Sequence, residues 1–235
     1  MKISSVQFLL VIIFPAYITE FCLSRGATYD VFAKENCSTG GTPLSTINLS
    51  VGDLFKVSVN PLDLWSAGGL PRWSNANGLL GPLFAGTNSE SGELAGTQIG
   101  QDWGLWLQDG FTAPSGALVG RIEKNYFFLG TSYSGFASNS GVLELMYWDS
   151  QESDNSEKIM VRVETIPLML HVEQIGTNVL VSWPSVNNVV MDSTLSLSPP
   201  LEWSLAKEEI AVADERYVVT NAIDQHARFF RLRRL

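Results

Sequence analysis

The chain has 235 residues, 45% hydrophobic and 17% charged, which is enough apolar side chain to bury a core and too little charge for a disordered polymer. Its formal net charge is −9. With no Lys/Arg cluster in the larger part of the chain, that balance argues against nucleic acid, whose phosphates demand cationic contacts.

At the N-terminus Lys2 precedes the apolar run "FLLVIIFPAYI", Phe8 to Ile18, which Pro15 interrupts. The run is shorter than the ~20 apolar residues of a membrane span. Cys22 and Ser24 take the −3 and −1 places of a cleavage after Ser24, so residues 1–24 read as a signal peptide and the protein as secreted or held at the cell surface. An uncleaved membrane anchor is the rival reading, and Glu20 beside the run speaks against it. Phe21 is not the small residue that lipidation of Cys22 wants. Removing residues 1–24 leaves the net charge at −9 and strands Cys37 as the only thiol. No internal disulfide is then available, and Cys37 is expected to be a small buried apolar group.

Strand signals dominate from residue 25 onward, and no segment keeps a helical period for three turns. "TINLSVGDLFKVSV" alternates Ile47, Leu49, Val51 and then Phe55, Val57, Val59 around Gly52 and Asp53. Leu70 to Thr112 is rich in Gly, Asn and Ser and reads as long loops with short strands, a kind of segment that often carries function. "SGALVGRIE", "NYFFLGT" and "GVLELMYW" are further strands, and "KIMVRVET" puts Ile159, Val161 and Val163 on one face. Pro167 marks a boundary, so residues 25–165 and 166–235 are taken as two β modules. The first carries 8 basic and 15 acidic groups, the second 6 and 8. In the second, "LMLHVEQIGTNVLVSWP" predicts a hairpin turning at Gly176–Asn178, and "YVVTN" and "ARFFRLRR" supply later strands.

Between two of these strands lies the polar knot "DSQESDNSE". A hard divalent cation such as Ca²⁺ seeks ~6–8 oxygen ligands, and the knot offers Asp149 at its start and Ser153, Asp154 and Asn155 at its end. Its spacing is not that of an EF-hand, and zinc is poorly served because residues 25–165 hold no His and one Cys. The plainer reading is a solvated hairpin tip, since Asp, Asn and Ser are ordinary turn residues.

"SGALVGRIE" followed by "FFLGTSYSGFASNSGVLELMYWDSQESDNSEKIMVRV" resembles the calcium-dependent bacterial lectins of the PA-I galactophilic type. In that family a "GALV" strand, a Phe–Leu–Gly strand and an "SG.L.L" strand lead into an Asp-containing loop closed by "DNS" or "NNS". The likeness covers roughly residues 43–165 and is densest from Ser115 to Val163. It implies a jelly-roll-like sandwich with one Ca²⁺ at its tip, held by Asp149, Ser153, Asp154 and Asn155 and by a backbone carbonyl near Gly68 in "WSAGGL". It also implies carbohydrate as partner, with Asp149, Asp154 and Asn155 touching the sugar, and multivalency, as in a homo-oligomer, as the route to tight binding. Two departures stand out. No His occurs before residue 171, where the family prototype has a His–Pro pair near its sugar, and Trp148 stands where relatives carry Asn. Galactose preference therefore does not carry over.

Trp65, Trp73, Trp103 and Trp106 could wall a sugar site, but two of them are expected in the core. His171 and His226 have no partners suggesting a triad. Residues 168–235 resemble small immunoglobulin or fibronectin III-like modules of secreted bacterial proteins, with Trp183, Trp203 and Phe229–Phe230 matching. That likeness implies surface retention or a spacer. The expectation is an all-β protein: a sandwich lectin domain, not an enzyme, followed by a small immunoglobulin-like sandwich. A structural or adhesion protein whose ion only stiffens a loop is the alternative, and a glycan-active enzyme ranks third.

Overall fold

A computed structural model describes residues 8–10, 25–222 and 227–235. Every regular element among them is a β-strand, and the chain divides into two compact units, Ser24–Thr165 and Ile166–Leu235 with the N-terminal residues. The expected signal segment lies outside the described residues except for Phe8–Leu10, a strand running antiparallel to Phe229–Arg234. His226 is also outside them. No helix among the described residues is long and apolar enough to cross a membrane.

Ser24–Thr165 is built on two four-stranded antiparallel sheets. One orders Asn125–Phe128, Ala117–Ile122, Gly141–Trp148 and Leu44–Leu49; the other orders Ser132–Phe136, Leu54–Val59, Lys158–Ile166 and Arg25–Phe32. Successive side chains of a strand point to opposite faces, so alternation decides which residues meet. Leu49, Leu118, Ile122, Leu143 and Leu145 of the first sheet share one buried cluster with Val31, Phe55, Val57, Ile159, Val161 and Val163 of the second. Met160, between two of these, is exposed. The sheets therefore face each other across a sandwich core.

The run "LMYW" breaks alternation because both of its faces are covered. Leu145 and Tyr147 enter the sandwich core, while Met146 and Trp148 pack with Ala113, Trp106 and Phe111 of the hairpin Leu105–Gln108/Phe111–Pro114. Trp148 Nε1 donates to the Trp106 carbonyl at 2.9 Å. Of the four early tryptophans, Trp65 is fully buried, Trp73 and Trp106 are partly buried, and Trp103 is 48% exposed. Cys37 is free and buried, and burial chiefly pushes its thiol up to about 11, so it stays protonated.

Two strands carry little apolar alternation in sequence: Ser132–Phe136 and Val189–Thr194. The first is an edge strand, where one side lacks a partner and propensity weakly marks the element.

In the second unit, His171–Ile175, Asn178–Pro184, Arg216–Ala222 and Ala211–Ala213 form one sheet. Val189–Thr194 pairs with Phe229–Arg234 and Ser204–Leu205 in another. Arg228 ties the two, donating to Asn221 Oδ1 at 2.8 Å and to Ser193 Oγ at 3.1 Å. Trp183 is buried against Tyr217, whereas Trp203 lies under the Arg231 guanidinium at 4.5 Å. His171 is an exposed strand residue.

The basic C-terminus has an internal acid. Asp192, buried, accepts from Arg231 Nε and Nη2 at 3.1 and 3.0 Å and from Arg233 Nε at 3.0 Å. Burial alone would raise this carboxyl, but the hydrogen bonds from Arg233 and Arg231 outweigh it and hold it below its ordinary value. A depressed folded-state pKa means that the stabilisation is present above the unfolded value and is lost as pH falls through the folded one. Asp192→Ala should therefore destabilise the second unit by about 3 kcal/mol at pH 7, measured by denaturant melts, with the loss shrinking in acid.

Candidate functional site

The polar knot crosses from one sheet of the sandwich to the other, leaving the end of Gly141–Trp148 and entering Lys158–Ile166, so it is not the turn of a hairpin. Residues 36–38 run beside it: Tyr147 N donates to the Asn36 carbonyl at 2.9 Å and Ser38 N to the Tyr147 carbonyl at 2.8 Å. Ser38 Oγ then donates to the Asp149 carbonyl at 3.0 Å and accepts from Asp149 N at 3.2 Å. The backbone of Asp149 is thereby pinned on both sides. Asn36 spends its own side chain on the Phe32 amide and the Thr42 carbonyl, which keeps the 36–42 turn closed.

A second segment arrives from the loop-rich half. Trp65–Ser66 pairs with Trp73–Ser74, and Ser66 exchanges backbone hydrogen bonds with Ser156, both at 3.0 Å. The connecting loop is closed by Ala67 N donating to the Arg72 carbonyl at 3.0 Å. Ser66 Oγ donates to the Gly68 carbonyl, and Gly68 N returns a bond to Ser66 Oγ at 3.1 Å. Gly68 has φ +121, and a Cβ there would sit 2.5 Å from Arg72 Nη2 and 2.7 Å from Asp154 Oδ2. Only glycine lets the loop approach the carboxylate this closely.

Arg72 Nη1 pairs with Asp154 Oδ2 at 2.8 Å, and its Cζ lies 5.5 Å from the centroid of Trp103. Asp149 is half-buried, with Oδ1 accepting from Ser150 N at 2.7 Å. Burial raises its carboxyl above the ordinary value; hydrogen bonds from Ser150 N and Asn155 pull it back, Asp154 adds to the rise, and Arg72 opposes it. Asn155 is only 4% exposed. Its Nδ2 donates to the Ala33 carbonyl at 3.2 Å, which fixes the amide's orientation and leaves Oδ1 buried with no partner. The Tyr147 hydroxyl, felt by Asp149, Cys37 and Asp154, is a second buried polar atom without a partner.

Asp149, Asp154 and Asn155, all of one loop, are thus joined by Gly68 from a distant segment, whereas the exposed Ser153 hydroxyl accepts from Gln151 at the tip instead. Sequence reading missed Arg72, Ser38 and Ser66, and it named Trp103 only as one of four tryptophans that could wall a sugar site. One signal for Arg72 was present, since it is the sole basic residue between Lys56 and Arg121.

The residues fit a hard cation in one respect that a solvated turn does not explain. A buried carboxamide oxygen without a donor costs free energy of about 1–3 kcal/mol, and an ion is one partner that would remove the cost. The carboxylates number two, and among the described residues no group of three or more His, Cys, Asp and Glu side chains converges. Any ion would thus lean on amide and backbone oxygens as well.

No family model matches the chain, and no curated protein does. Among solved structures it is similar to a chain titled "EclA N-terminal domain; PllA-like lectin", at 20% identity and a TM-score of 0.37, over 59% of this chain and 95% of that one.

Because the folded chain takes up a proton at Asp149 more readily than the unfolded one, ionising this group penalises the fold. The penalty is present above the raised folded value and vanishes below the ordinary one near 3.8. Asp149→Asn keeps the acceptor for Ser150 N. In chelator it should raise the melting temperature at pH 7 by about 2–4 °C. Scanning calorimetry should find that the advantage disappears as the pH is lowered through the carboxylate range.

Proposed function

We propose that Ser24–Thr165 is a calcium-dependent carbohydrate-binding module rather than an enzyme. The observation that carries this reading is the buried, partnerless Asn155 Oδ1 beside the half-buried Asp149 carboxylate. Asp149, Asp154, Asn155 and the Gly68 carbonyl would hold the ion, with Ser153 joining only if the tip rearranged. A bound Ca²⁺ supplies coordination positions at which two vicinal sugar hydroxyls can replace water. The protein's own part is to hold Asp149 and Asp154 where they accept hydrogen bonds from those hydroxyls, and so to fix the orientation of the ring. A single sugar makes few contacts with an open loop, so tight binding would come through several modules acting together.

The same loop supports a second reading. The Arg72–Asp154 pair already places a positive charge at the knot, as expected of a staple that stiffens the loop without recognising sugar. A glycosidase is the weakest of the three readings. Its acid is usually a carboxyl kept protonated in an apolar cleft, while Asp149 is surrounded by amide donors and a second carboxylate. The second unit is read as an immunoglobulin-like spacer or surface-retention module, and residues 1–24 as the export signal that places the protein outside the cell.

In calcium at about a hundredfold above its dissociation constant, the melting transition of Ser24–Thr165 should gain about 2.7 kcal/mol over the chelated protein. A glycan array should retain the protein in calcium and release it in chelator, and Asp149→Ala and Asn155→Ala should lose both responses. A melting shift without retention would establish the staple. Turnover of a chromogenic glycoside would establish the enzyme, and no melting shift at all would end the calcium reading.

A further inference from the structure

Of the knot's four carboxylates, the two placed to hold the ion, Asp149 and Asp154, would balance its double charge. Arg72 contributes a permanent positive charge at the same place, paired to Asp154 at 2.8 Å. With Glu152 and Glu157 counted as well, an ion-loaded knot together with Arg72 would carry a formal charge of about −1, so any attraction for an anion is local to the guanidinium.

The geometry of Arg72 suits an anionic group on the ligand. Its side chain is 32% exposed, and it is engaged by Asp154 through Nη1 alone. Among the described residues no acceptor takes a hydrogen bond from Nε or Nη2, so the side-on edge of the guanidinium is uncommitted. That edge presents two parallel N–H groups at the spacing of a carboxylate's two oxygens. The guanidinium is held in place from two directions, by the face of Trp103 and by the Gly68 backbone, where even one methyl group would collide with Nη2 and Cζ. Trp103 is half exposed, leaving an apolar surface beside the charge on which a sugar ring can lie.

We propose that Arg72 is the specificity-determining residue of this site and that the preferred ligand is an acidic sugar, a uronic acid whose carboxylate pairs with Arg72 while its vicinal hydroxyls meet the knot. The inference rests on the calcium-dependent reading above and deepens it by naming the ligand class. Once Asp154 is drawn toward an ion, Arg72 is freer to share its donors with the ligand. A neutral hexose keeps the hydroxyl contacts but leaves the guanidinium without its second acceptor.

The test uses the full chain and two matched pairs, galacturonate against galactose and glucuronate against glucose, titrated calorimetrically in calcium and in chelator. At least one acidic sugar should bind about tenfold more tightly than its neutral counterpart, the worth of one charge-assisted contact. Arg72→Gln should bring that ratio to about one, with the calcium-dependent melting shift still present to report an intact knot. Trp103→Ala should weaken both sugars of a pair alike. Equal affinities in the unaltered protein, or a ratio that survives Arg72→Gln, would overturn the proposal while leaving calcium-dependent sugar binding in place. A melting shift with no binding of any of the four sugars would overturn it in favour of the staple. Absence of the melting shift would remove the parent reading as well.

Discussion

Two backbone hydrogen bonds between Ser66 and Ser156, each 3.0 Å, are the constraint on which the rest of this site depends. They join a hairpin from the loop-rich half of the first unit to the chain immediately after Asp154 and Asn155. Without them the hairpin would keep its anchor at the buried Trp65, but Gly68 and Arg72 would no longer be tied by backbone bonds to the knot. With them, a glycine without a side chain, a guanidinium and a carboxylate are held in contact. Ser38 performs the matching task on the other flank by gripping the backbone of Asp149.

Opposed charges set the character of the cluster. Half-burying Asp149 near another carboxylate is unfavourable, and the amide donors and Arg72 offset only part of that cost, so the carboxyl remains above its ordinary value. Arg72 and Asp154 are both about one-third exposed, and solvent screening keeps such a pair weak. The contrast with Asp192 in the second unit is informative. There two arginines surround one buried carboxylate, which is held below its ordinary value. The second unit thus contains a settled ion cluster. The first contains an acid-rich one with an acceptor to spare, the condition expected where a cation or a ligand's donors complete the arrangement.

Much of the architecture was legible because burial on a pleated sheet leaves a period of two. Ile159, Val161 and Val163 announce their face, and Gly176–Asn178 announces its turn. Two features blurred that signal. Edge strands such as Ser132–Phe136 bury too little to alternate clearly, and "LMYW" is covered on both faces and so loses its period. Within the site, Asp149, Asp154 and Asn155 could be read from one short stretch, and Gly68 was reachable through the family likeness. Arg72 could not be reached in that way, and Trp103 was one of four tryptophans with nothing local to single it out. They lie in a Gly-rich segment with almost no periodicity, 82 residues before Asp154 in the case of Arg72.

By itself the sequence determined that this is a β protein with a polar knot between two strands, because strand alternation and turn chemistry are local properties encoded residue by residue. Only the tertiary structure decided what surrounds the knot. The unpaired Asn155 oxygen, the raised Asp149 carboxyl and the guanidinium on Trp103 all arise from segments far apart in the chain. Desolvation and charge pairing act through space at a few ångströms, and one-dimensional spacing carries no record of which distant residue will supply them.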